Sequence, residues 1–204
     1  MLDRIYSLSS SLVGLLIPPR THERAISSVT AEDLEYLRCE DGLPYHNKTV
    51  SALIWELKYN RNRHALDISG AFLSEELLGI ATEELGKPLL VPVPMHKERR
   101  RERGHNQTEL LCEAALRYVG DSYEYAPRVL ERVIVTAPQQ KLARRTRLQN
   151  VKNTMRAAQP EKIKGRVCVV VDDVATTGAT LAEAARALRQ AGARKVYTLA
   201  LARS

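Results

Sequence analysis

The chain has few cysteines and few large aromatic residues, and both shortages limit what it can be. Its 204 residues include three cysteines, one tryptophan and one phenylalanine. Cys39, Cys112 and Cys168 lie far apart and form no Cys-x-x-Cys pair, so the sequence predicts no disulfide framework and indicates a reducing, cytoplasmic location. We expect Cys112 and Cys168 to be inert buried residues in a mostly aliphatic core.

The sequence also lacks an apolar run long enough to cross a bilayer, so we expect no membrane partner. The segment 5–17 is fairly apolar and follows Arg4, as in a short signal peptide. However, Pro18-Pro19-Arg20 follows it in place of a small-x-small cleavage site. Its apolar residues recur at helical spacing, which favours an amphipathic helix docked on the domain over an export signal.

One stretch combines an apolar run, an acidic pair and a small turn. The run Val167–Val171 is almost entirely β-branched and predicts a parallel strand buried on both faces. Asp172 and Asp173 follow at the predicted carboxyl end of this strand, where open α/β sheets bind ligands. In the turn at 175–180, backbone N–H groups and the start of the next helix can hold a phosphate. The pattern predicts a ribose 5-phosphate site; an ordinary strand–turn–helix with an aspartate cap is the alternative.

These residues resemble the phosphoribosyl pyrophosphate (PRPP) signature of type I phosphoribosyltransferases. The resemblance implies that Asp172 and Asp173 hold the ribose hydroxyls. It implies that the 5-phosphate is held by Ala175, Thr176, Thr177, Gly178, Ala179 and Thr180. It also implies Mg²⁺, bridged mostly by ligand oxygens and water. Purine-salvage enzymes carry an aspartate, proposed as general base, where this chain has Thr176. This difference argues against a hypoxanthine-type enzyme and leaves the catalytic residue unknown.

Other segments are similar to the ComF/GntX group of phosphoribosyltransferase-like proteins, which is associated with competence for DNA uptake. They are Leu57-Lys58-Tyr59, Val91-Pro92-Val93-Pro94 and Arg103-Gly104-His105-Asn106-Gln107. Further matches are Arg132, Thr136, Gln139, Gln140, Leu142, Arg147, Asn150 and Val151. The resemblance therefore runs from about Leu43 onward.

The chain departs from that group in two ways. The group usually has Phe at the place of His105, so we interpret His105 as a packing residue, with an acid/base role as the alternative. The group also usually opens with a four-cysteine zinc ribbon. Here only Cys39 and the scattered His22 and His46 remain, so we expect no zinc.

A basic segment follows the strand predicted to end near Pro94, a position topologically equivalent to the phosphate turn. By resemblance it would hold the pyrophosphate through backbone amides and guanidinium groups. The candidate residues are Met95, His96, Lys97, Arg99, Arg100 and Arg103. A solvated charged loop is the alternative.

A second basic cluster lies within residues 141–152. By resemblance this region carries a flexible hood that closes over the ligand, with Gln140, Arg144 and Arg147 as its candidate residues. The alternatives are a basic helix face and a footprint for the phosphates of single-stranded DNA, with Tyr118, Tyr123 and Tyr125 available to stack on bases.

The periodicity of the chain predicts an alternation of strands and helices, and therefore a parallel sheet. Predicted helices cover 49–58, 65–85, 106–119 and 179–191, and a short capped helix begins at Ala31. Predicted strands cover 89–93, 166–171 and 195–202. We predict a type I phosphoribosyltransferase fold over 45–204, with a parallel-sheet core flanked by helices, after a helical N-terminal extension over 1–44.

The resemblance implies a PRPP-binding protein that transfers or holds ribose 5-phosphate in a Mg²⁺-dependent site, with an unknown acceptor. The rival hypothesis is a non-catalytic accessory protein of DNA uptake that retains the PRPP site. It would bind single-stranded DNA or proteins of the competence machinery. A regulator of nucleotide biosynthesis without turnover is a third. The net charge of +7 suits a polyanionic ligand in each case.

Overall fold

The computed structural model describes residues 20–40, 42–133 and 153–204. The helices are α1 (Arg20–Ile26), α2 (Ala31–Leu37), α3 (Lys48–Tyr59), α4 (Arg63–Glu83), α5 (Lys97–Arg103), α6 (Gln107–Val119), α7 (Pro160–Ile163) and α8 (Ala179–Gln190), with a 3₁₀ turn at Gly120–Ser122. The strands are β1 (Leu43–Pro44), β2 (Leu89–Pro92), β3 (Glu124–Tyr125), β4 (Leu130–Arg132), β5 (Met155–Ala157), β6 (Val167–Ala175) and β7 (Lys195–Arg203).

The core is a five-stranded parallel sheet in the order β1-β7-β6-β2-β3, which confirms the predicted parallel-sheet core. Strands β4 and β5 form a separate antiparallel pair. The central strand β6 is longer than the predicted 166–171, because its pairing with β7 continues from Asp172 opposite Ala200 to Ala175 opposite Arg203. The acidic pair therefore lies inside the strand and not beyond its end.

The side chains of β6 alternate between two apolar layers, as the pleat of a strand requires. Val169 and Val171 belong to a core formed with α3, α4 and α6. Cys168 and Val170 belong to a second core formed with α8 and the β4–β5 pair. Cys112 and Cys168 are both buried, as predicted, and burial raises the pKa of the Cys168 thiol to about 11.

Side-chain caps fix where the main helices begin. Thr30 and Asp33 form a capping box at the start of α2, so the predicted short helix is confirmed. Asn47 caps α3 by accepting a 2.8 Å hydrogen bond from the Thr49 N–H. Asn106 caps α6 in the same way. The sequence did not predict β3, β4, β5 or α7, which all lie within 121–165.

Residues 20–44 pack onto the same core as the sheet. Ile26, Leu34 and Leu43 are fully buried there, and β1 pairs with the far end of β7. The division into 1–44 and 45–204 stays a prediction. The helix predicted over 5–17 lies outside the described residues. Among the helices that are described, none combines the length and apolar character that a bilayer crossing requires.

Candidate functional site

A small cavity opens at the carboxyl end of β6, where the strand passes into α8. Its lining consists of Asp172, Val174, Ala175, Thr176, Thr177, Gly178, Ala179, Thr180 and Leu181. The lining includes one of the two ribose-binding candidates and all six phosphate-binding candidates. The fold therefore brings these residues together around one concave surface.

The turn into α8 depends on Gly178. This residue has φ 71° and ψ 0°, the left-handed conformation that glycine adopts most easily, and it occupies the N-cap position. Because glycine has no side chain, no cap hydrogen bond comes from this position. Thr177 Oγ1 lies 3.4 Å from the Ala179 nitrogen, from which it accepts a hydrogen bond. Uncapped amides and the helix dipole make this end of α8 attractive to an anion.

Asp173 is not among the residues that line this cavity, although its carboxyl group lies close enough to that of Asp172 to share a hydrogen bond. Its Oδ2 atom lies 3.2 Å from Lys58 Nζ on α3. The same oxygen accepts a 3.2 Å hydrogen bond from Gln107 Nε2 on α6. The acidic pair thus joins the turn at 175–180, which Asp172 lines, to α3 and α6, which Asp173 contacts.

The two carboxylates differ in their protonation equilibria. Burial raises the pKa of Asp172 well above its usual range, and the negative charge of Asp173 adds to the rise. Burial alone would also raise the pKa of Asp173, but the charge and hydrogen bond of Lys58 outweigh it, and this pKa lies below its usual range. For Lys58, burial would lower the pKa, but Asp173 outweighs burial and the pKa is raised. Asp173 and Lys58 are therefore a charged pair.

The predicted pyrophosphate segment is mostly helix. Only Met95 and His96 lie in the connection after β2, and His96 caps the seven-residue α5 by accepting from the Glu98 N–H. Arg100 forms two hydrogen bonds of 2.7 and 2.8 Å with Glu109. The Arg103 guanidinium lies 5.3 Å from the centre of the Tyr59 ring. Backbone amides from Arg100 onward are thus engaged in the helix, and both Arg100 and Arg103 already have protein partners.

Arg132, which was not predicted as a site residue, reaches this region from β4. Its Nε atom donates a 3.1 Å hydrogen bond to the Pro94 carbonyl oxygen. Burial lowers the pKa of Arg132, the nearby Asp172 opposes this, and Arg99 adds to the lowering. Arg132 therefore lies within electrostatic range of both Asp172 and Arg99. The sequence signal that could have identified Arg132 as a site residue is its match to the pattern of the ComF/GntX group.

His105 bridges two segments next to the site. Its Nδ1 lies 2.9 Å from the Arg103 carbonyl oxygen, and its Nε2 lies 3.3 Å from the Leu57 carbonyl oxygen. The ring is buried, which agrees with the packing interpretation. His105 thereby connects the end of α3 to the turn between α5 and α6.

The other predicted residues fall into two groups. The hood candidates Gln140, Arg144 and Arg147 lie outside the described residues. The suggestion that Tyr123 stacks on bases is wrong, because its ring is buried and its hydroxyl donates to the Leu77 carbonyl oxygen at 2.6 Å. Within 20–40, 42–133 and 153–204, no three His, Cys, Asp or Glu side chains come together as a metal site.

Comparison with known proteins places these features in context. Residues 123–204 match the family model described as a phosphoribosyl transferase domain. The chain is 35% identical over 158 residues to DNA utilization protein YhgH of Salmonella typhi, covering 76% of this chain and 67% of that protein. It is 34% identical over 125 residues to Competence protein F of Haemophilus influenzae, covering 60% and 54%. A hypoxanthine phosphoribosyltransferase structure from Staphylococcus aureus superposes with a TM-score of 0.39 at 9% identity, covering 66% and 62%.

Proposed function

Because the chain belongs to the ComF family of phosphoribosyltransferase-like proteins, we propose that it binds PRPP at the carboxyl end of β6 and transfers or holds its ribose 5-phosphate group. One observation carries this proposal: Asp172 and the six phosphate-binding candidates line the same cavity. The 5-phosphate would accept hydrogen bonds from the turn ending at Thr180, with the dipole of α8 behind it. A ribose hydroxyl would donate to Asp172.

The reaction that suits this arrangement is displacement at C1 of the ribose. A nitrogen nucleophile forms the C1–N bond, the C1–O bond breaks, and pyrophosphate leaves with the electron pair while the nucleophile loses a proton. Arg99 and Arg132, which are within electrostatic range of each other, would stabilise the charge that develops on the leaving group. Catalysis would rest on orientation and charge stabilisation, since no side chain is assigned as a nucleophile.

PRPP is expected to bind together with Mg²⁺, which would neutralise part of the pyrophosphate charge. The described residues fit an ion held by oxygens of PRPP itself and by water. They include no cluster of three potential ligands, and Asp173 is already paired with Lys58. We therefore assign no side chain as its ligand.

Isothermal calorimetry with PRPP and Mg²⁺ tests the proposal. Asp172→Asn should lower the affinity by roughly two- to tenfold, because a hydrogen bond between protein and ligand contributes about 0.5–1.5 kcal/mol net. Asp121→Asn, on the exposed 3₁₀ turn, is the control and should bind as the wild type does. Absence of PRPP binding by the folded wild-type protein would refute the proposal. A pyrophosphate-release screen across bases and amines would then identify the acceptor.

Binding of single-stranded DNA is the second candidate function. Helix α5 exposes a dense set of basic side chains, and the relatives' names refer to DNA utilization and competence. If DNA binds there, Lys97→Ala with Arg101→Ala should flatten the slope of log K against log salt by roughly 0.7 for each phosphate that is no longer neutralised. Fluorescence anisotropy with a labelled oligonucleotide measures this slope. No binding at low salt would remove this candidate.

A further inference from the structure

We propose that Arg61 is a nucleic-acid-binding residue, and that its guanidinium group forms a surface for a single-stranded chain together with Tyr59 and Arg103. This inference rests on the second candidate function, the binding of single-stranded DNA, and deepens it. It extends the basic surface of α5 to the turn between α3 and α4.

The backbone of Arg61 has a conformation that an arginine rarely adopts. Arg61 is the single residue between Asn60, which ends α3, and Asn62, which caps α4. Its φ of 48° lies in the left-handed region, and this position after the end of a helix usually carries glycine. An arginine is less favourable here than a glycine would be, so we look for the role of Arg61 in its side chain.

A buried carboxylate holds this turn from both sides. Glu56 is 1% exposed, and each of its two oxygens accepts a 3.0 Å hydrogen bond from Asn60 Nδ2. Its Oε2 atom also accepts a 3.2 Å hydrogen bond from Asn62 Nδ2. One side chain thus binds both neighbours of Arg61, as expected where the surrounding structure maintains a strained conformation. The backbone that carries the Arg61 side chain is therefore fixed in place.

The exposed side chain of Arg61 reaches the turn between α5 and α6. Its Nη2 atom donates a 2.7 Å hydrogen bond to the Gly104 carbonyl oxygen. The guanidinium of Arg103, the preceding residue, lies 5.3 Å from the centre of the Tyr59 ring. In the part of the chain that the structure describes, neither guanidinium forms an ion pair with a carboxylate, whereas Arg100 of the same helix does. Two positive charges therefore share this surface without a negative partner from the described residues.

The chemistry of this surface is complementary to a single strand. A guanidinium group that donates to one neutral carbonyl retains N–H donors for phosphate oxygens. Tyr59 is 54% exposed, so its ring offers a surface on which a base can stack. The bases of a duplex are already stacked on one another, so we expect a preference for single strands.

Fluorescence anisotropy of the full chain with a labelled thymidine oligonucleotide at several salt concentrations tests this inference. Arg61→Gly removes the guanidinium and keeps the left-handed turn. It should lower the affinity by roughly three- to tenfold and flatten the slope of log K against log salt by roughly 0.7, the value for one phosphate contact. Its melting temperature should equal or exceed that of the wild type, because glycine adopts this conformation more easily. Arg189→Ala, at the exposed end of α8, is the control and should leave the affinity and the slope unchanged.

A second variant tests the aromatic part of the surface. Tyr59→Leu should weaken binding of the oligonucleotide by roughly fivefold or more, because stacking on an aromatic side chain contributes about that much for each base. The same variant should bind an abasic strand of equal length as the wild type does, since that strand has no base to stack.

The possible outcomes separate this inference from the function on which it rests. An unchanged affinity and salt slope in Arg61→Gly overturns this inference alone. A loss of PRPP affinity without a loss of oligonucleotide affinity also overturns it, because Arg61 would then belong to the PRPP site. Failure of the wild-type protein to bind the oligonucleotide at low salt overturns the second candidate function and this inference with it.

Discussion

Gly70 of α4 and Ala114 of α6 lie in direct backbone contact. A Cβ atom built on Gly70 would lie 2.7 Å from the Ala114 carbonyl carbon and 2.8 Å from its Cβ atom. Both helices pack on the face of the sheet that carries Val169 and Val171. The absence of a side chain at position 70 therefore sets how closely these helices approach each other.

Gly70→Ala should destabilise the protein by about 1–3 kcal/mol, because the added methyl group meets backbone atoms that cannot rotate away. Gly79→Ala, in the same helix, is the control. Its new Cβ would meet nothing within 4 Å, so this change should stabilise the protein by about 0.5–1 kcal/mol through helix propensity. Urea unfolding followed by circular dichroism measures both. A shift of the same sign in the two variants would contradict this account of the contact.

Gly178→Ala should affect both stability and ligand binding. The left-handed conformation at φ 71° costs a residue with a side chain about 1–2 kcal/mol. Alanine keeps its N–H, but relief of the strain would turn backbone donors of the turn away from the phosphate, and each such bond to a charged group contributes about 1.5–3 kcal/mol, so PRPP affinity should fall by roughly tenfold. Gly165→Ala is the control, because Gly165 has φ 73° and equally open surroundings but lies outside the cavity. It should lose similar stability and no affinity. Equal affinity loss in both variants would show that strain, not the phosphate turn, is responsible.

Glu84 should make stability depend on pH in the acidic range. Hydrogen bonds from Lys195 and Tyr197, with a further contribution from Arg194, lower the pKa of Glu84 from 4.5 to about 2. A carboxyl group whose pKa is lower in the folded state stabilises the protein above its unfolded value. That stabilisation is lost as the pH falls from about 4.5 to about 2.

Thermal melts of the wild type and Glu84→Gln between pH 2 and 6 test this expectation. The two proteins should differ most near pH 6 and converge toward pH 2. Glu161→Gln, at an exposed position of α7, is the control and should follow the wild-type curve. A difference that stays constant over this range would show that the Glu84 contacts do not alter its protonation.

Removal of metal should leave the fold intact. Cys39 is an exposed free thiol, and a single cysteine cannot close a tetrahedral zinc site. Protein purified without a histidine tag should contain substoichiometric zinc by elemental analysis, and a chelator should not shift its melting curve. A stoichiometric zinc whose removal unfolds the protein would disprove this.

Local patterns predicted the elements around the site well. The β-branched run before Asp172 predicted β6, and the caps at Thr30 and Asn106 marked helices that the structure contains. The turn between β6 and α8 was also predictable, because its residues are contiguous and their conformation is set by Gly178. These features depend on short-range sequence, which periodicity and turn chemistry describe directly.

Long-range contacts were not predictable in the same way. Lys58 and Gln107 stood in recognised motifs, but nothing in those motifs shows that both meet Asp173. The acidic pair itself does not indicate that the strand continues to Ala175 or that both carboxyl groups are buried. Strands β4 and β5 were not predicted because each has three residues, too few for a periodic signal. For the same reason Arg132, at the end of β4, was not predicted as a site residue.

The central position of β6 also affects when the strands of the sheet can pair during synthesis of the chain. Strand β2 emerges early, yet its partner β6 begins only at Val167, and the pairing joins Leu90 to Val169 and Val91 to Val170. Until β6 has been synthesised, one edge of β2 has no pairing partner, and Val91 lacks the layer that Cys168, Val170 and α8 later complete. The nascent chain therefore carries an unpaired strand edge until β6 has emerged. The yield of folded protein in a cell should therefore depend on chaperones and on the rate of chain elongation, and not on the stability of the folded state alone.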